Sequence, residues 1–368
     1  MASMASAAQT SERFAAQLMK KVQELTRSLS LQNSDASPLY HGGDLAAARR
    51  LFPGAPEPWI DLSTGINPEP YPIPILPVDV FTRLPDRERL AELESCAARR
   101  FGVASHGEVI AAPGTQALIQ LLPQLHKAKS VGILGFTYGE YQQVWREIGL
   151  TPKVVEDLEA LSACDLAIIV NPNNPDGRLV PAQDLVVLAQ HLARKGGLLV
   201  VDEAFIDLLP QNQSLVPILP ESGALVLRSF GKTYGLPGLR LGFAVAGAAL
   251  AANLRARLGP WAVSGPAIEI GCSALGDDAW LMSLPQRLAR QAACVEEALT
   301  RCGARRIGGT PLFHLFAYSE AEKLFMRFGR EGVLLRHFPE RPQWLRAGLV
   351  AEASAERLKA SAERIGAR

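Results

Sequence analysis

The chain has few cysteines, and their arrangement fits neither a metal site nor a disulfide framework. Its 368 residues include 5 cysteines, an odd number with no CxxC pair. A zinc ribbon needs closely spaced pairs, and a disulfide scaffold normally has an even number. The sequence therefore predicts no metal site and a protein of the reducing cytoplasm. The cysteines are Cys96, Cys164, Cys272, Cys294 and Cys302.

Long apolar runs and an excess of one charge are also missing. A membrane-spanning helix needs roughly 18 or more consecutive apolar residues, whereas runs such as Leu166–Val170 and Leu198–Val201 have the length of strands. The 38 Lys and Arg residues oppose 37 Asp and Glu residues, which gives a net charge of +1. The sequence therefore predicts neither a membrane nor a nucleic-acid partner, and any anion must be bound by a local group of residues.

The length of the chain indicates more than one domain. A single core holds roughly 100–200 residues, and a composition of 48% hydrophobic and 20% charged residues is ordinary for globular domains. We predict a helical appendage (1–37), a segment that contributes to the small domain and the active site (38–80), a large domain (81–259) and a small domain (260–368). The appendage has apolar residues at helical spacing, namely Phe14, Leu18, Val22, Leu25 and Leu29.

Short β-rich runs alternate with helical patterns between about Val131 and Gly247. This alternation is typical of parallel strands joined by crossover helices. After Gly259 the pattern changes to Arg- and Ala-rich helices, such as Gln286–Arg301, and short strands. The sequence therefore predicts an α/β fold with a doubly wound sheet and a smaller α+β domain. The strands predicted for the large sheet are Val131–Leu134, Leu166–Val170, Leu198–Val201, Ala224–Leu227 and Leu241–Ala246.

Asn174, Asp202 and Lys232 each come just after one of these predicted strands. Open α/β sheets bind their ligands at the carboxyl ends of the strands, so we expect the three side chains at one edge. A lysine among small residues can bond to an aldehyde, and a buried carboxylate needs a cation such as a protonated pyridine nitrogen. Each residue also has an ordinary alternative, namely a solvated lysine, a helix cap at Asp202 and a plain Asn-Pro turn.

Two further segments offer groups for a planar, phosphorylated ligand. Ala112–Gln116 opens a predicted helix, where backbone N–H groups can bind phosphate. Phe136–Tyr141 follows a strand and contains Tyr138, whose ring could stack on a planar ligand or simply pack in the core. Each signal is weak alone, and their order along the chain is what makes them informative.

Together these five segments resemble the fold-type I pyridoxal-5′-phosphate enzymes of the aspartate-aminotransferase-like superfamily, from roughly Tyr40 to the C-terminus. The resemblance implies a mostly parallel seven-stranded sheet between helices, pyridoxal 5′-phosphate as cofactor, and a homodimer. It implies that Lys232 bonds covalently to the cofactor, that Asp202 pairs with its pyridine nitrogen and that Asn174 donates to its ring hydroxyl. The residues implied in holding the phosphate and stacking on the ring are Gly114, Thr115, Gln116, Ser229, Arg240 and Tyr138.

Two positions depart from the pattern of that superfamily. Phe205 stands where a tyrosine commonly bonds the ring hydroxyl, so that oxygen would have fewer donors. Leu84 stands where a tyrosine reaches the phosphate of the neighbouring subunit, and leucine cannot make that contact. Both departures imply altered contacts to the cofactor within an otherwise intact set of residues.

Within the superfamily, Tyr40–Asp44 and Asp61–Pro68 resemble the threonine-phosphate decarboxylases of cobalamin biosynthesis, which are related to histidinol-phosphate aminotransferases. This resemblance implies decarboxylation of L-threonine O-3-phosphate to (R)-1-amino-2-propanol O-2-phosphate. Histidinol-phosphate-type aminotransfer stays open, because both reactions use the same residue types. The implied substrate-binding residues are His41 and Arg336 for the phosphate, Arg346 for the carboxylate, and Asn67. A polar turn at His41 and a surface ion pair at Arg336 are the plain alternatives.

A non-catalytic regulator that binds the same cofactor is a third interpretation, since transcription factors with this fold exist. Such a regulator would need a DNA-binding domain before the large domain. The first 37 residues contain no basic helix-turn-helix pattern that could supply one. The sequence therefore favours an enzyme.

Overall fold

The structure, a computed structural model, describes residues 41–367 of the chain. These described residues divide at Gly54 into two units, residues 41–54 and residues 55–367. In the first unit, helix α1 (Leu45–Leu51) begins after Asp44, whose carboxylate accepts a hydrogen bond from the backbone N–H of Ala47 at 2.8 Å. The helix predicted within residues 1–37 lies outside the described residues, and the division into four segments stays a prediction.

The remaining elements belong to the second unit. Its strands are β1 (Ile60–Asp61), β2 (Gly107–Ala112), β3 (Val131–Leu134), β4 (Lys153–Val155), β5 (Leu166–Val170), β6 (Leu198–Asp202), β7 (Ala224–Ser229), β8 (Gly242–Gly247), β9 (Arg305–Thr310), β10 (Phe313–Ala317), β11 (Val333–Leu334), β12 (Arg336–His337) and β13 (Trp344–Gly348). Its α-helices are α2 (Asp79–Thr82), α3 (Arg87–Phe101), α4 (Thr115–Leu125), α5 (Glu140–Arg146), α6 (Leu158–Ser162), α7 (Ala182–Arg194), α8 (Phe230–Thr233), α9 (Ala248–Leu258), α10 (Gly265–Leu275), α11 (Asp278–Arg301), α12 (Ala321–Arg330) and α13 (Ala355–Gly366).

A seven-stranded sheet forms the centre of this unit, in the order β2-β8-β7-β6-β5-β3-β4. The strands from β4 to β7 pair in parallel, whereas β8 runs antiparallel to both of its neighbours. Strands β3 and β5 have the predicted bounds, while β6 and β7 extend to Asp202 and Ser229. The predicted α/β class with a mostly parallel seven-stranded sheet is confirmed.

Both faces of the large sheet are covered by apolar side chains. Successive residues of a strand point to opposite faces, and in β5 Ile168 and Ile169 belong to two separate cores. Such double coverage explains why the parallel strands are uninterrupted apolar runs. It leaves the loops at the carboxyl edge as the place where polar side chains gather.

A second, four-stranded antiparallel sheet has the order β12-β13-β10-β9 and packs against the long helix α11. This is the smaller α+β part that the sequence predicts. The backbone N–H of Leu62, just after β1, donates to Leu334 at 2.8 Å, and the N–H of Gly348 donates to Leu62 at 2.7 Å. The segment after β1 is therefore bonded to this part of the fold. Within residues 41–367, no helix is both long and apolar enough to span a membrane.

Candidate active site

Lys232 lies on the short helix α8, directly after β7, and is half-buried. Burial, together with the positive charges of Arg346 and Arg240 and against the opposing effect of Asp202, lowers the pKa of its amine to about 8. A lysine is a nucleophile only when it is neutral. At this site a substantial fraction of the amine is neutral at moderately alkaline pH.

Asp202 is the last residue of β6 and is 5% exposed. The Tyr141 hydroxyl donates to its Oδ2 at 2.9 Å, and the Ala204 backbone N–H donates to its Oδ1 at 3.0 Å. Burial raises the pKa of Asp202, while both hydrogen bonds and the charge of Lys232 act in the opposite direction. The predicted pair of Lys232 and Asp202 is therefore brought together, with a tyrosine that our sequence analysis did not assign.

The start of helix α4 forms a tight backbone cradle. Gly114 has φ +83° and is the residue directly before α4. Because glycine has no side chain, it does not cap the first backbone N–H groups of this helix. A Cβ at Gly114 would lie 2.9 Å from the Arg240 guanidinium, and one at Gly242 would lie 2.7 Å from the Thr115 nitrogen. The predicted residues Gly114, Thr115, Ser229 and Arg240 thus gather here, since Ser229 pairs with Gly242 across β7 and β8. Such a helix start suits an anion.

Replacing Gly242 by alanine tests how closely this cradle is packed. The new Cβ would meet backbone atoms of Thr115 and Gly114 rather than a flexible side chain, so the start of α4 must shift. We expect a loss of about 1–3 kcal/mol in the free energy of unfolding, measured by urea denaturation. Gly238→Ala is the matched control, because no atom lies within 4 Å of a Cβ at that position. Equal unfolding midpoints for both variants would contradict the expectation.

Tyr138, the predicted stacking residue, is held by its hydroxyl. That hydroxyl donates to Gln116 Oε1 at 3.2 Å, and Gln116 Nε2 donates to Glu140 Oε2 at 2.6 Å. The Gln116 side chain therefore has partners within the protein, and its predicted contact with a phosphate stays a prediction. The bonds fix the edge of the Tyr138 ring beside the cradle.

Arg346 lies on β13 and is 7% exposed. Its guanidinium donates to Asn174 Oδ1 and, at 2.7 Å, to the Ser63 carbonyl. The side-chain oxygen of Asn174 therefore accepts a hydrogen bond from Arg346. Its amide N–H groups can still donate, as the predicted bond to the ring hydroxyl of the cofactor requires. Two predicted residues of distant segments are thus joined directly.

Arg336 on β12 stands directly opposite Arg346 in the antiparallel register. We call these two residues the arginine pair. Burial, together with the nearby charge of Arg336 and against the effect of Asp61, lowers the pKa of Arg346 to about 9. Like charges directly opposite each other are destabilising. A bound anion would therefore stabilise the arginine pair by offsetting the repulsion between its two positive charges.

Asn67 is 2% exposed and binds backbone groups. Its Nδ2 donates to the Thr233 carbonyl at 2.9 Å, and its Oδ1 accepts from the Glu69 N–H at 2.8 Å. Its own N–H donates to the Lys232 carbonyl at 2.9 Å. These bonds tie the segment after β1 to the helix that carries Lys232, and the predicted substrate contact of Asn67 stays a prediction.

The three other singled-out residues lie in different surroundings. The Phe205 ring centroid lies 5.9 Å from the Lys232 Nζ, and Phe205 packs edge-on against Phe313 at 4.9 Å. The wall beside the Lys232 amine is therefore aromatic at the position where a tyrosine is usual. Leu84 is 67% exposed. His41 is exposed in the first unit, and its predicted role stays a prediction.

Sequence reasoning did not assign Tyr141 or Gly242 a role, although both lie within segments that it singled out. Tyr141 is on the first turn of α5, and its reach to Asp202 depends on how that helix is oriented. Gly242 is the partner of Ser229 in the next strand. In the sequence, the one sign that these two residues belong to the site is that Tyr141 ends the segment Phe136–Tyr141 and Gly242 ends the segment that begins at Ser229.

Comparisons with known proteins agree with this geometry. A family model described as aminotransferase class I and II matches residues 76–365. The threonine-phosphate decarboxylase of a Sinorhizobium species is 42% identical over 332 residues, 89% of this chain and 98% of that protein. The Pseudomonas aeruginosa protein of the same name is 39% identical, over 86% of this chain and 95% of its own length. A histidinol-phosphate aminotransferase from Oleidesulfovibrio alaskensis is 31% identical over 70% of this chain and 73% of its own length.

Solved structures show the same fold. The histidinol-phosphate aminotransferase from Sinorhizobium meliloti, in complex with pyridoxal 5′-phosphate, matches with a TM-score of 0.73 and 20% identity over 88% of this chain and 94% of its own. The L-threonine-O-3-phosphate decarboxylase from Porphyromonas gingivalis matches with a TM-score of 0.67 and 20% identity over 83% of this chain and 99% of its own. The fold expected from the sequence resemblance is confirmed.

Proposed function

The chain belongs to the aminotransferase class I and II family, and from this premise we propose that it decarboxylates L-threonine O-3-phosphate with pyridoxal 5′-phosphate as cofactor. The product would be (R)-1-amino-2-propanol O-2-phosphate, a precursor in cobalamin biosynthesis. Two relatives at 42% and 39% identity, matched over nearly their whole length, carry the name threonine-phosphate decarboxylase. The structural observation that carries the proposal is the arginine pair, of which Arg346 lies near enough to Lys232 to lower the pKa of its amine, because the substrate has two anionic groups.

The described residues fit this cofactor. The cradle at Gly114 and Gly242 lets backbone N–H groups approach a phosphate closely, since a side chain at either position would fill it. Lys232 provides an amine with a lowered pKa. Asp202 provides a buried carboxylate for the pyridine nitrogen.

When bound, pyridoxal 5′-phosphate supplies an aldehyde that bonds to amines and a ring that accepts electrons from a breaking bond at the substrate Cα. Asp202 holds a proton at the pyridine nitrogen and so increases the capacity of the ring to accept electrons. Arg346 binds the substrate carboxylate, and Arg336 binds its phosphate. With the amine as the third point, these contacts would hold the substrate in one orientation and so select which bond at Cα breaks.

Lys232 handles the proton of the reaction. With the cofactor bound, Lys232 would be released when the substrate amine takes its place on the aldehyde. The substrate enters as an ammonium group, so the proton that its amine loses would pass to the released Lys232 amine and make it an ammonium group beside Cα. After the bond between Cα and the carboxylate breaks and CO₂ leaves, Cα needs one proton. An ammonium group whose pKa is lowered to about 8 donates a proton more readily than an ordinary lysine. Lys232 is therefore the proposed donor to Cα.

The test of the function compares two reactions of the purified protein. With L-threonine O-3-phosphate, we expect CO₂ release with no need for 2-oxoglutarate. Histidinol-phosphate-type aminotransfer is the second candidate, because relatives of that name share about 30% identity. Conversion of the cofactor to pyridoxamine phosphate by histidinol phosphate, with no CO₂ from threonine phosphate, would replace the first proposal by the second.

The rate of cofactor uptake should report the pKa of Lys232. Only the neutral amine attacks the aldehyde, so the rate should increase roughly fivefold between about pH 7 and about pH 8 and then level off. A lysine of ordinary pKa would show a rate that still rises at about pH 10. The measurement is the growth of visible absorbance after cofactor-free protein is mixed with pyridoxal 5′-phosphate. A rate that does not level off would contradict the lowered pKa.

We also propose that the protein is a homodimer, as the sequence resemblance implies. Five large apolar side chains within twelve residues are exposed, which is typical of an interface. They are Ile73 (59% exposed), Ile75 (102%), Val78 (74%), Phe81 (65%) and Leu84 (67%). We refer to them as the apolar stretch.

Sedimentation should give a dimer for the wild-type protein. Replacing Ile75 and Phe81 together by aspartate places two charges in the apolar stretch and should shift the protein to a monomer. Val187→Asp is the matched control, because Val187 is a single exposed apolar residue, at 65%, on helix α7. A wild-type monomer with full activity, or a double variant that stays dimeric, would refute the proposed interface.

A further inference from the structure

Both oxygens of the Asp202 carboxylate are held by groups of the protein itself. The Tyr141 hydroxyl bonds Oδ2 at 2.9 Å and the Ala204 N–H bonds Oδ1 at 3.0 Å. Each carboxylate oxygen can accept a further hydrogen bond, so the aspartate can bind a third donor while these two fix its rotation. Tyr141 itself is completely buried, within the core on one face of the sheet.

Tyr141 and Lys232 are the two side chains that favour the ionised form of Asp202. Burial raises the pKa of the carboxyl group, and the Tyr141 hydrogen bond and the Lys232 charge oppose that effect from helices α5 and α8. The other titratable group beside Tyr141 is Tyr138, whose ring lies edge-on at 6.3 Å. Burial and Asp202 raise the pKa of Tyr141 well above its ordinary value, so its hydroxyl stays neutral and remains a donor.

With its amine bonded to the cofactor, Lys232 would no longer present a free ammonium group to Asp202, so its contribution would be smaller than in the protein without cofactor. Tyr141 is then the side chain that still favours an ionised Asp202, together with the Ala204 N–H. A neutral Asp202 has no negative charge, so it would not stabilise a positively charged, protonated pyridine nitrogen. The hydroxyl of Tyr141 therefore matters most in the form of the protein that carries the cofactor.

We propose that Tyr141 is a positioning residue that keeps Asp202 ionised and aimed at the pyridine nitrogen of the cofactor. The inference rests on the cofactor assigned under the proposed function, and it does not depend on which substrate the protein uses. It assigns to Tyr141 an effect on the cofactor that is transmitted through Asp202. Tyr141 makes no other hydrogen bond that could explain a buried hydroxyl within residues 41–367.

The test uses Tyr141→Phe, which removes the hydroxyl and keeps the ring. With ¹⁵N-labelled pyridoxal 5′-phosphate bound, the ring nitrogen should show the ¹⁵N shift of a protonated pyridine in the wild type and of a less protonated one in the variant. The dissociation constant of the cofactor should increase about tenfold or more, as expected for a lost hydrogen bond to a charged group. Asp202→Asn should change both readouts in the same direction, and adding Tyr141→Phe to it should have little further effect.

Tyr71→Phe is the matched control. The Tyr71 hydroxyl also bonds a carboxylate, that of Asp277 at 3.4 Å, in the core formed with Trp280. Both variants lose a tyrosine–aspartate hydrogen bond, but only Tyr141→Phe should change the ¹⁵N shift. Tyr141→His restores a ring N–H donor, so it should recover part of the wild-type shift, and it also serves if Tyr141→Phe folds poorly.

Two results would overturn the inference. One is a ring nitrogen that is as protonated, and a cofactor as tightly bound, in Tyr141→Phe as in the wild type. The other is an equal change in Tyr71→Phe. Both readouts use the cofactor without substrate, so they are independent of CO₂ release. A wild-type protein that binds the cofactor but releases no CO₂ from threonine phosphate would refute the proposed reaction and leave the role of Tyr141 standing.

Discussion

Lys232→Ala is expected to lose the visible absorbance of the covalently bound cofactor and at least about a thousandfold of the rate of CO₂ release. The variant has no amine that can bond to the aldehyde, and it has no donor for the proton that Cα needs. The cradle at Gly114 and the carboxylate of Asp202 are unchanged, so the cofactor should still bind without the covalent bond. The measurements are an absorbance spectrum, equilibrium dialysis of the cofactor and CO₂ release under saturating substrate.

Stability provides the control for Lys232→Ala. In the cofactor-free wild type, the amine lies in a desolvated position close to the positive charges of Arg346 and Arg240, which is why its pKa is lowered. Removing it should not lower the unfolding temperature of the cofactor-free protein. A variant that keeps the visible band, or one that loses activity only because it is unfolded, would contradict the role of Lys232.

Arg346→Gln should have the second largest effect. Removing one partner of a buried, hydrogen-bonded charge pair costs about 2–5 kcal/mol, so kcat/KM for threonine phosphate should fall by about 30-fold to several thousandfold. Glutamine can still donate to the Ser63 carbonyl or to Asn174, which limits the damage to the fold. The measurement is CO₂ release at a series of substrate concentrations.

The reaction product separates the roles of the arginine pair. It lacks the carboxylate but keeps the phosphate, so Arg346→Gln should change product affinity by no more than about threefold, less than one tenfold step of affinity. Arg336→Gln should weaken the binding of substrate and product alike. If Arg346→Gln weakens the product as much as the substrate, the two arginines do not have the separate roles proposed here.

Much of the site could be predicted from sequence because parallel strands place their carboxyl ends at one edge. Asn174 and Lys232 follow β5 and β7, Asp202 ends β6, and these three strands are neighbours in the large sheet. Knowledge of the strand order is enough to bring such residues together. The same reasoning locates the cradle, because Gly114 follows β2 and precedes a helix.

Contacts that depend on the orientation of a helix or on strand register were beyond this reasoning. The reach of Tyr141 to Asp202 requires α5 to turn one particular side toward β6, and the sequence of a seven-residue helix does not specify that rotation. The opposition of Arg336 and Arg346 follows from the register of two short strands. The bond from the Asn67 amide to the backbone beside Lys232 was not foreseen either, and the predicted contact of Asn67 with the substrate stays a prediction.

The segment after β1 has a mechanical consequence. At one end of this segment, Leu62 is hydrogen-bonded to Leu334 and Gly348, and the Ser63 carbonyl accepts from Arg346. At its other end, Asn67 is hydrogen-bonded to the backbone of Lys232 and Thr233. Only a few peptide units separate these two attachments, so the segment between them cannot extend much further. The small sheet therefore cannot move away from Lys232 without breaking one set of these bonds. A displacement of Arg346 would thus be transmitted to the helix that carries Lys232.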